Sequence, residues 1–192
     1  ILIFNQPTSF QIGENYNRGT IYADVNGDGI KDLIENAETF DVLLGDKNSL
    51  FKTSDIGKNV YSGYLELDGI DLNNDKTVEI VGNPQWGYSL NVYKIINGGI
   101  QEDQTLASSQ FDAGIPIGGD FNNDGFNDIL QSDGKQNKAS LFINDKSGHL
   151  QSEKLIDIGI IPIAVYAYDF NKDGNLDIVS LDKTGTLSIN EG

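Results

Sequence analysis

The chain has 192 residues, with 13 Lys plus Arg against 29 Asp plus Glu, a formal charge of −16, and neither Cys nor Met. The missing cysteines exclude disulfides, thiolate metal sites and cysteine nucleophiles, and the acidic excess excludes a nucleic-acid or anionic-membrane partner by simple repulsion. At 38% hydrophobic and 22% charged the chain is too apolar for a disordered acidic tail, and no apolar run approaches the ~20 residues of a membrane span.

With 22 Gly, 20 Asn and 21 Asp, more than a quarter of the chain favours turns, which predicts many short strands. Residues 1–4 and 9–13 read as two such strands. Residues 20–22 form the next, before an acidic loop at 24–32, with a strand pair at 33–34 and 41–44 beyond it and an outer segment at 50–52. The order then repeats: strand 64–67, loop 71–79, strands from 80 and 90; strand 115–117, loop 120–128, strands from 129 and 141, an outer segment at 150–153; strand 163–166, loop 169–177, strands from 178 and 187. The loops begin 47, 49 and 49 residues apart. About four short strands per ~48 residues is the pattern of a β-propeller blade, whose faces are buried only by its neighbours. The expectation is an all-β chain, 1–192, of four four-stranded blades. The surplus third strand at the start and the mid-blade ends predict a segment of a larger, about seven-bladed propeller. Closure as a four-bladed ring, with 47 residues from Asp169 round to Asp24, is the alternative.

The loops share the pattern D-x-N-x-D-G-x-x-D. Calcium takes six to eight oxygens from carboxylates, amides, carbonyls and water, and side-chain oxygens at positions 1, 3, 5 and 9 with a carbonyl at 7 can wrap it. Glycine at position 6 supplies a left-handed turn. The expected ligands are Asp24, Asn26, Asp28 and Asp32 with the Ile30 carbonyl; Asp120, Asn122, Asp124 and Asp128 with Phe126; and Asp169, Asn171, Asp173 and Asp177 with Asn175. In the second loop Asp71, Asn73, Asp75 and Glu79 with Thr77 follow the pattern, but Lys76 replaces the glycine and Glu79 the last Asp, so calcium is least secure there. Up to four ions are expected. Glu35 completes an EF-hand pattern in the first loop, but Gly82, Gln131 and Ser180 stand at the same place elsewhere and the flanks are strands.

This loop between two strands, recurring every ~48 residues, resembles the FG-GAP (VCBS) repeats of integrin α-subunit propellers, bacterial surface proteins and fungal lectins. The resemblance implies calcium in the blade loops and a role in adhesion, in glycan recognition or as an accessory module.

No catalytic residue is expected. The single His149 lies in a turn, and the S-x-x-K at Ser49 and K-T-G at Lys183 lack both the third motif and a helical setting. Carboxylates bound to a cation are poor acids or bases. Trp86 and Tyr88, between the second and third strands of the second repeat, form a candidate ligand site, since an exposed aromatic stacks on sugars or anchors proteins. The chain therefore reads as a secreted or cell-surface, non-catalytic recognition module for glycan or extracellular protein, with further blades from the same or another chain as partners and no membrane insertion. The alternative is a structural propeller within a larger polysaccharide-active enzyme or toxin. The extracellular placement follows from calcium, since weak oxygen-rich sites fill where the ion is near millimolar.

Overall fold

A computed structural model describes residues 9, 19–36, 39–48, 50–57, 60, 65–84, 87–109 and 114–192. The expected strands at 1–4 and 9–13 fall almost wholly outside the described residues, as does Trp86.

The fold is all-β and built as a propeller, with each blade an antiparallel sheet whose strands follow in chain order. Blade 1 contains β1 (Gly19–Ala23), β2 (Asp32–Asn36), β3 (Phe40–Asp46) and β4 (Leu50–Thr53). Blade 2 contains β5 (Leu65–Ile70), β6 (Glu79–Pro84), β7 (Ser89–Ile96) and β8 (Gly99–Ala107). Blade 3 contains β9 (Ile117–Gly119), β10 (Asp128–Ser132), β11 (Lys138–Phe142) and β12 (Lys154–Asp157). Blade 4 shows three strands among the described residues, β13 (Ala164–Tyr168), β14 (Asp177–Leu181) and β15 (Leu187–Asn190).

The outer strand of blade 3 is not where the pattern put it. The expected segment 150–153 gives way to β12 at Lys154–Asp157, paired with Lys138–Leu141. A turn at Asp145–His149 closes on an isolated bridge between Asn144 and Leu150. That bridge turns Leu150 into the core between blades 2 and 3 and delays the strand by four residues.

Alternation along the strands gives every blade two apolar faces, and three cores form between successive blades. Ile21, Ile34 and Val42 of blade 1 pack on Leu67, Ile80 and Tyr93 of blade 2. Ile70, Val81 and Val92 of blade 2 meet Ile129 and Phe142 of blade 3. Leu130 and Leu141 of blade 3 meet Ile178 of blade 4. The inner strands approach closely at two glycines. A Cβ on Gly69 would stand 2.6 Å from the Ile21 side chain, and one on Gly118 would stand 2.8 Å from that of Ile70. Small residues there let the bulk of one blade fill the next.

Candidate metal centre

Each acidic loop joins the first and second strands of its blade, so all four emerge at the same end of the propeller. They lie side by side. The Asn74 side-chain amide donates to the Gly125 carbonyl at 2.9 Å, Asn127 donates to the Asp71 carbonyl at 2.9 Å, and Asn123 donates to the Asn175 side chain.

Within each loop the carboxylates organise the backbone before any ion is considered. The position-1 carboxylates of Asp24, Asp120 and Asp169 each accept two backbone N–H bonds; those of Asp24 come from Gly27 and Gly29, both at 2.8 Å. The position-3 amide oxygens of Asn26, Asn73 and Asn171 accept from the N–H two residues on. The position-5 carboxylates of Asp28, Asp75, Asp124 and Asp173 accept from position 7. These bonds require left-handed backbone at two places. Position 6 has φ of 81° at Gly29, 76° at Lys76, 90° at Gly125 and 96° at Gly174, as the pattern led us to expect. Position 4 is also left-handed, at Gly27, Asn74, Asn123 and Lys172, which the pattern did not signal.

The position-9 carboxylates have a further role. Asp32 is buried and accepts from Val25 N at 3.0 Å and Gly45 N at 2.8 Å. Asp128 accepts from Phe121 N and Asn144 N, and Asp177 from Phe170 N and Gly192 N. One carboxylate thus ties the start of its loop to the end of the third strand, an anchor repeated in three blades. Glu79 accepts from Leu72 N and from the Asn73 side chain instead. Burial pushes the carboxyls of Asp32, Asp128 and Glu79 above their ordinary range, their backbone bonds oppose this, and the like charges at positions 1 and 5 push them further up. Asp173, fully exposed, is held below its range by the bonds from Asn175 and Asn171.

Among the described residues no three His, Cys, Asp or Glu side chains form a ready-made cation cluster. Positions 1 and 5 contribute two carboxylates per loop, the position-3 amide a third oxygen, and position 9 is held by the backbone. This donor set, all oxygen and mutually repulsive, fits a hard cation. One atom fits it in particular: Asp71 Oδ1 is buried and accepts no hydrogen bond among the described residues. Opposite charges already lie near two loops. Lys146 Nζ stands 3.7 Å from Asp124 Oδ2, and Lys94 adds a favourable field at Asp75 and Glu79.

Of the candidate ligand pair, Trp86 lies outside the described residues, and Tyr88 is exposed. His149 is exposed and its ring Nδ1 lies 3.2 Å from Ser147 Oγ, within its own turn. Asn144, which sequence reasoning passed over, is buried and donates to the carbonyls of Leu72 and Asn127, joining blades 2 and 3 beneath the loops. A cleft of about 870 Å³ also went unseen. It lies along the inner strands of blades 2 to 4, with Ile115, Ile117, Ile163 and Tyr166 as apolar wall and Glu66 and Asp68 as its acidic part. Its residues are far apart in sequence and only blade packing assembles them.

Residues 120–180, covering the third loop and the fourth, match the FG-GAP-like repeat family, so the resemblance drawn from the loop spacing is borne out there. No curated protein matches the chain in sequence. Among solved structures the chain is similar to an Agrocybe aegerita lectin described as specifically recognising non-reducing terminal N-acetylglucosamine, at 19% identity and a TM-score of 0.56 over 83% of this chain. It spans 45% of that lectin's length. It is also similar to a Photorhabdus luminescens Tc holotoxin pore, at 17% identity and a TM-score of 0.48, over 92% of this chain and 9% of that one. The lectin likeness shows the propeller fold.

Proposed function

We propose that this chain is a calcium-binding propeller module acting outside the cell, where it recognises a glycan or a protein without catalysing a reaction. The observation that carries this reading is the repetition of one oxygen-rich loop, with the same hydrogen bonds and left-handed positions, four times along one end of the fold. Aspartate and asparagine oxygens in that number suit a hard divalent cation, and magnesium, which gives up its water reluctantly, suits an all-protein cage less well. Asp24, Asn26 and Asp28 and their equivalents would hold the ion, while position 9 would act through the strand anchor as much as through direct ligation. The ions would offset most of the loops' negative charge and fix the end of the propeller as a rigid platform. Tyr88, exposed on blade 2, would supply an apolar or sugar-face contact.

Calorimetric titration of chelator-treated protein, followed by glycan and extracellular-protein arrays with and without calcium, tests both halves. Saturable calcium binding in preference to magnesium, with array hits that depend on calcium, is expected. Absence of calcium binding would overturn the metal assignment. Calcium binding with no hit on either array would favour a structural propeller of a larger protein.

A further inference from the structure

The four acidic loops are not joined to one another in the same way. Where one loop meets the next, three positions can reach across. They are position 4 of the earlier loop, position 8 of the later loop and, in the later blade, the third-strand residue two past the partner of position 10. Between the first and second loops these are Gly27, Val78 and Ile95, and between the third and fourth they are Asn123, Leu176 and Gly192. Only between the second and third loops are all three asparagine: Asn74, Asn127 and Asn144.

All three asparagines are used. Asn74 donates to the Gly125 carbonyl at 2.9 Å, Asn127 to the Asp71 carbonyl at 2.9 Å, and Asn144 to the carbonyls of Leu72 at 2.7 Å and Asn127 at 2.9 Å. The turn that follows Asn144 lies against the second loop, since a Cβ on Gly148 would stand 3.2 Å from the Asn73 side chain. From the same turn Lys146 Nζ reaches back to within 3.7 Å of Asp124 Oδ2 in the third loop. Residues 71 to 74, which include the ligand candidates Asp71 and Asn73, are therefore each held by blade 3. Among the described residues the third and fourth loops share one hydrogen bond, from Asn123 to the Asn175 side chain. The first and second loops meet at Gly27 and Thr77, where a Cβ on Gly27 would lie 3.3 Å from the Thr77 methyl group. No hydrogen bond joins those two loops among the described residues.

We propose that the second and third loops take up calcium as a coupled pair, with Asn74, Asn127 and Asn144 as positioning residues, whereas the first loop fills independently. This inference rests on the calcium reading of the loops and adds which sites depend on which. The two loops carry six carboxylates, Asp71, Asp75, Glu79, Asp120, Asp124 and Asp128. Without ions the repulsion among them loosens both loops. An ion in the third loop fixes its backbone, and with it the Gly125 carbonyl and the Asn127 amide that hold Asn74 and Asp71. Part of the ordering that the second loop needs is then already in place, so its ion binds more tightly. A filled third loop still sets three carboxylates against a charge of two, so it presents no net positive charge to oppose the second ion. The coupling helps the loop that most needs it, because Lys76 and Glu79 weaken the second loop on its own. By linkage, the ion in the second loop strengthens the third site by the same factor.

Nuclear magnetic resonance of the chelator-treated, isotope-labelled chain during calcium addition reads the loops one at a time. The reporters are the position-6 amides of Gly29, Lys76, Gly125 and Gly174, each of which donates to its own position-1 carboxylate. In the unaltered chain Lys76 and Gly125 are expected to respond together, more steeply than a single site allows. Asp124→Asn, which weakens the third site, is expected to raise the calcium midpoint at Lys76 about fivefold or more while leaving Gly29 in place. Asp75→Asn is expected to raise the midpoint at Gly125 by a similar factor. Asn74→Ala together with Asn127→Ala removes the bonds without altering charge, and in that background Asp124→Asn should no longer move Lys76. Should the double variant not fold, Asn74→Ala alone, at an exposed position, is expected to reduce the shift about twofold. A Lys76 midpoint unchanged by Asp124→Asn overturns the proposal and leaves independent calcium sites. A shift that persists undiminished in the asparagine variants also overturns it, in favour of coupling through charge alone. If none of the four amides responds to calcium, the calcium reading falls together with the proposal.

Discussion

Lys76 holds a φ of 76° where the other three loops have glycine. A side chain in that region costs on the order of 1 kcal/mol, so Lys76→Gly is expected to raise stability by about that much. Gly174→Ala is the converse. A Cβ there meets nothing within 4 Å, so the loss of about 1 kcal/mol comes from the backbone at φ 96° and not from crowding. Both are read as shifts in the denaturant midpoint at constant slope. The left-handed position 6 was legible because glycine fills it in three loops. Position 4 was not, because Gly27, Asn74, Asn123 and Lys172 share no chemistry that marks a site. Position 9 was legible as a carboxylate, but its anchoring bonds were not: the same Asp that suits a cation also accepts from two backbone N–H groups. Asp128→Ala is expected to cost about 2–4 kcal/mol, since it leaves the N–H groups of Phe121 and Asn144 without their acceptor. If the anchor matters chiefly through folding, that loss persists in excess chelator, which thermal melts of chelated protein would record.

Elements are joined across blades by polar contacts, and Glu153 makes one of them. Its carboxylate, between β11 and β12, accepts from the backbone N–H and the hydroxyl of Ser109, at the end of blade 2, and from the hydroxyl of Ser140 on β11. Partial burial pushes this carboxyl up, and the three hydrogen bonds more than reverse it, leaving it below the ordinary glutamate value of 4.5. A carboxyl lowered on folding stabilises the fold above its unfolded value, and that contribution is lost as pH falls. Glu153→Gln is expected to cost about 1–2 kcal/mol at neutral pH, and the gap to wild type should narrow as pH drops below about 4.5. Parallel pH–stability curves for the two proteins would show that Glu153 carries no such linkage. The strands around this contact show where sequence pattern suffices. The strands flanking each loop read as period-two patterns or short apolar runs and were anticipated, although the expected 115–117 begins two residues before β9. The outer strand β12 was displaced because Leu150 looks like the start of a strand, while its side chain serves the core between blades 2 and 3. The cleft along the inner strands left no sequence signal, since Glu66, Ile117 and Tyr166 converge only once blades stack.

At the scale of the whole molecule the dominant quantity is charge. Twelve carboxylates sit in four loops at one end of a chain whose formal charge is −16. Folding brings them together, and the neighbouring carboxylates that push the carboxyls of Asp32, Glu79 and Asp128 upward mark the repulsion that results. Four divalent ions would halve the net charge, to −8 from −16, at the place where it is densest. Because ions bind folded loops far better than the unfolded chain, each site adds RT ln(1 + [Ca]/Kd) to stability. With Kd near 10⁻⁴ M and calcium near millimolar, that is about 1.4 kcal/mol per site. Several such sites would supply a large share of the ~5–15 kcal/mol typical of a domain. The second loop is expected to contribute least, because Lys76 strains its backbone and Lys94 already supplies positive charge to Asp75 and Glu79. A chelator should therefore lower the melting temperature clearly, calcium should restore it better than magnesium, and Asp75→Asn should shift the calcium-dependent part less than Asp124→Asn. An unchanged melting curve in excess EDTA, on protein shown to be metal-free, would mean that the carboxylates are held by their backbone hydrogen bonds alone.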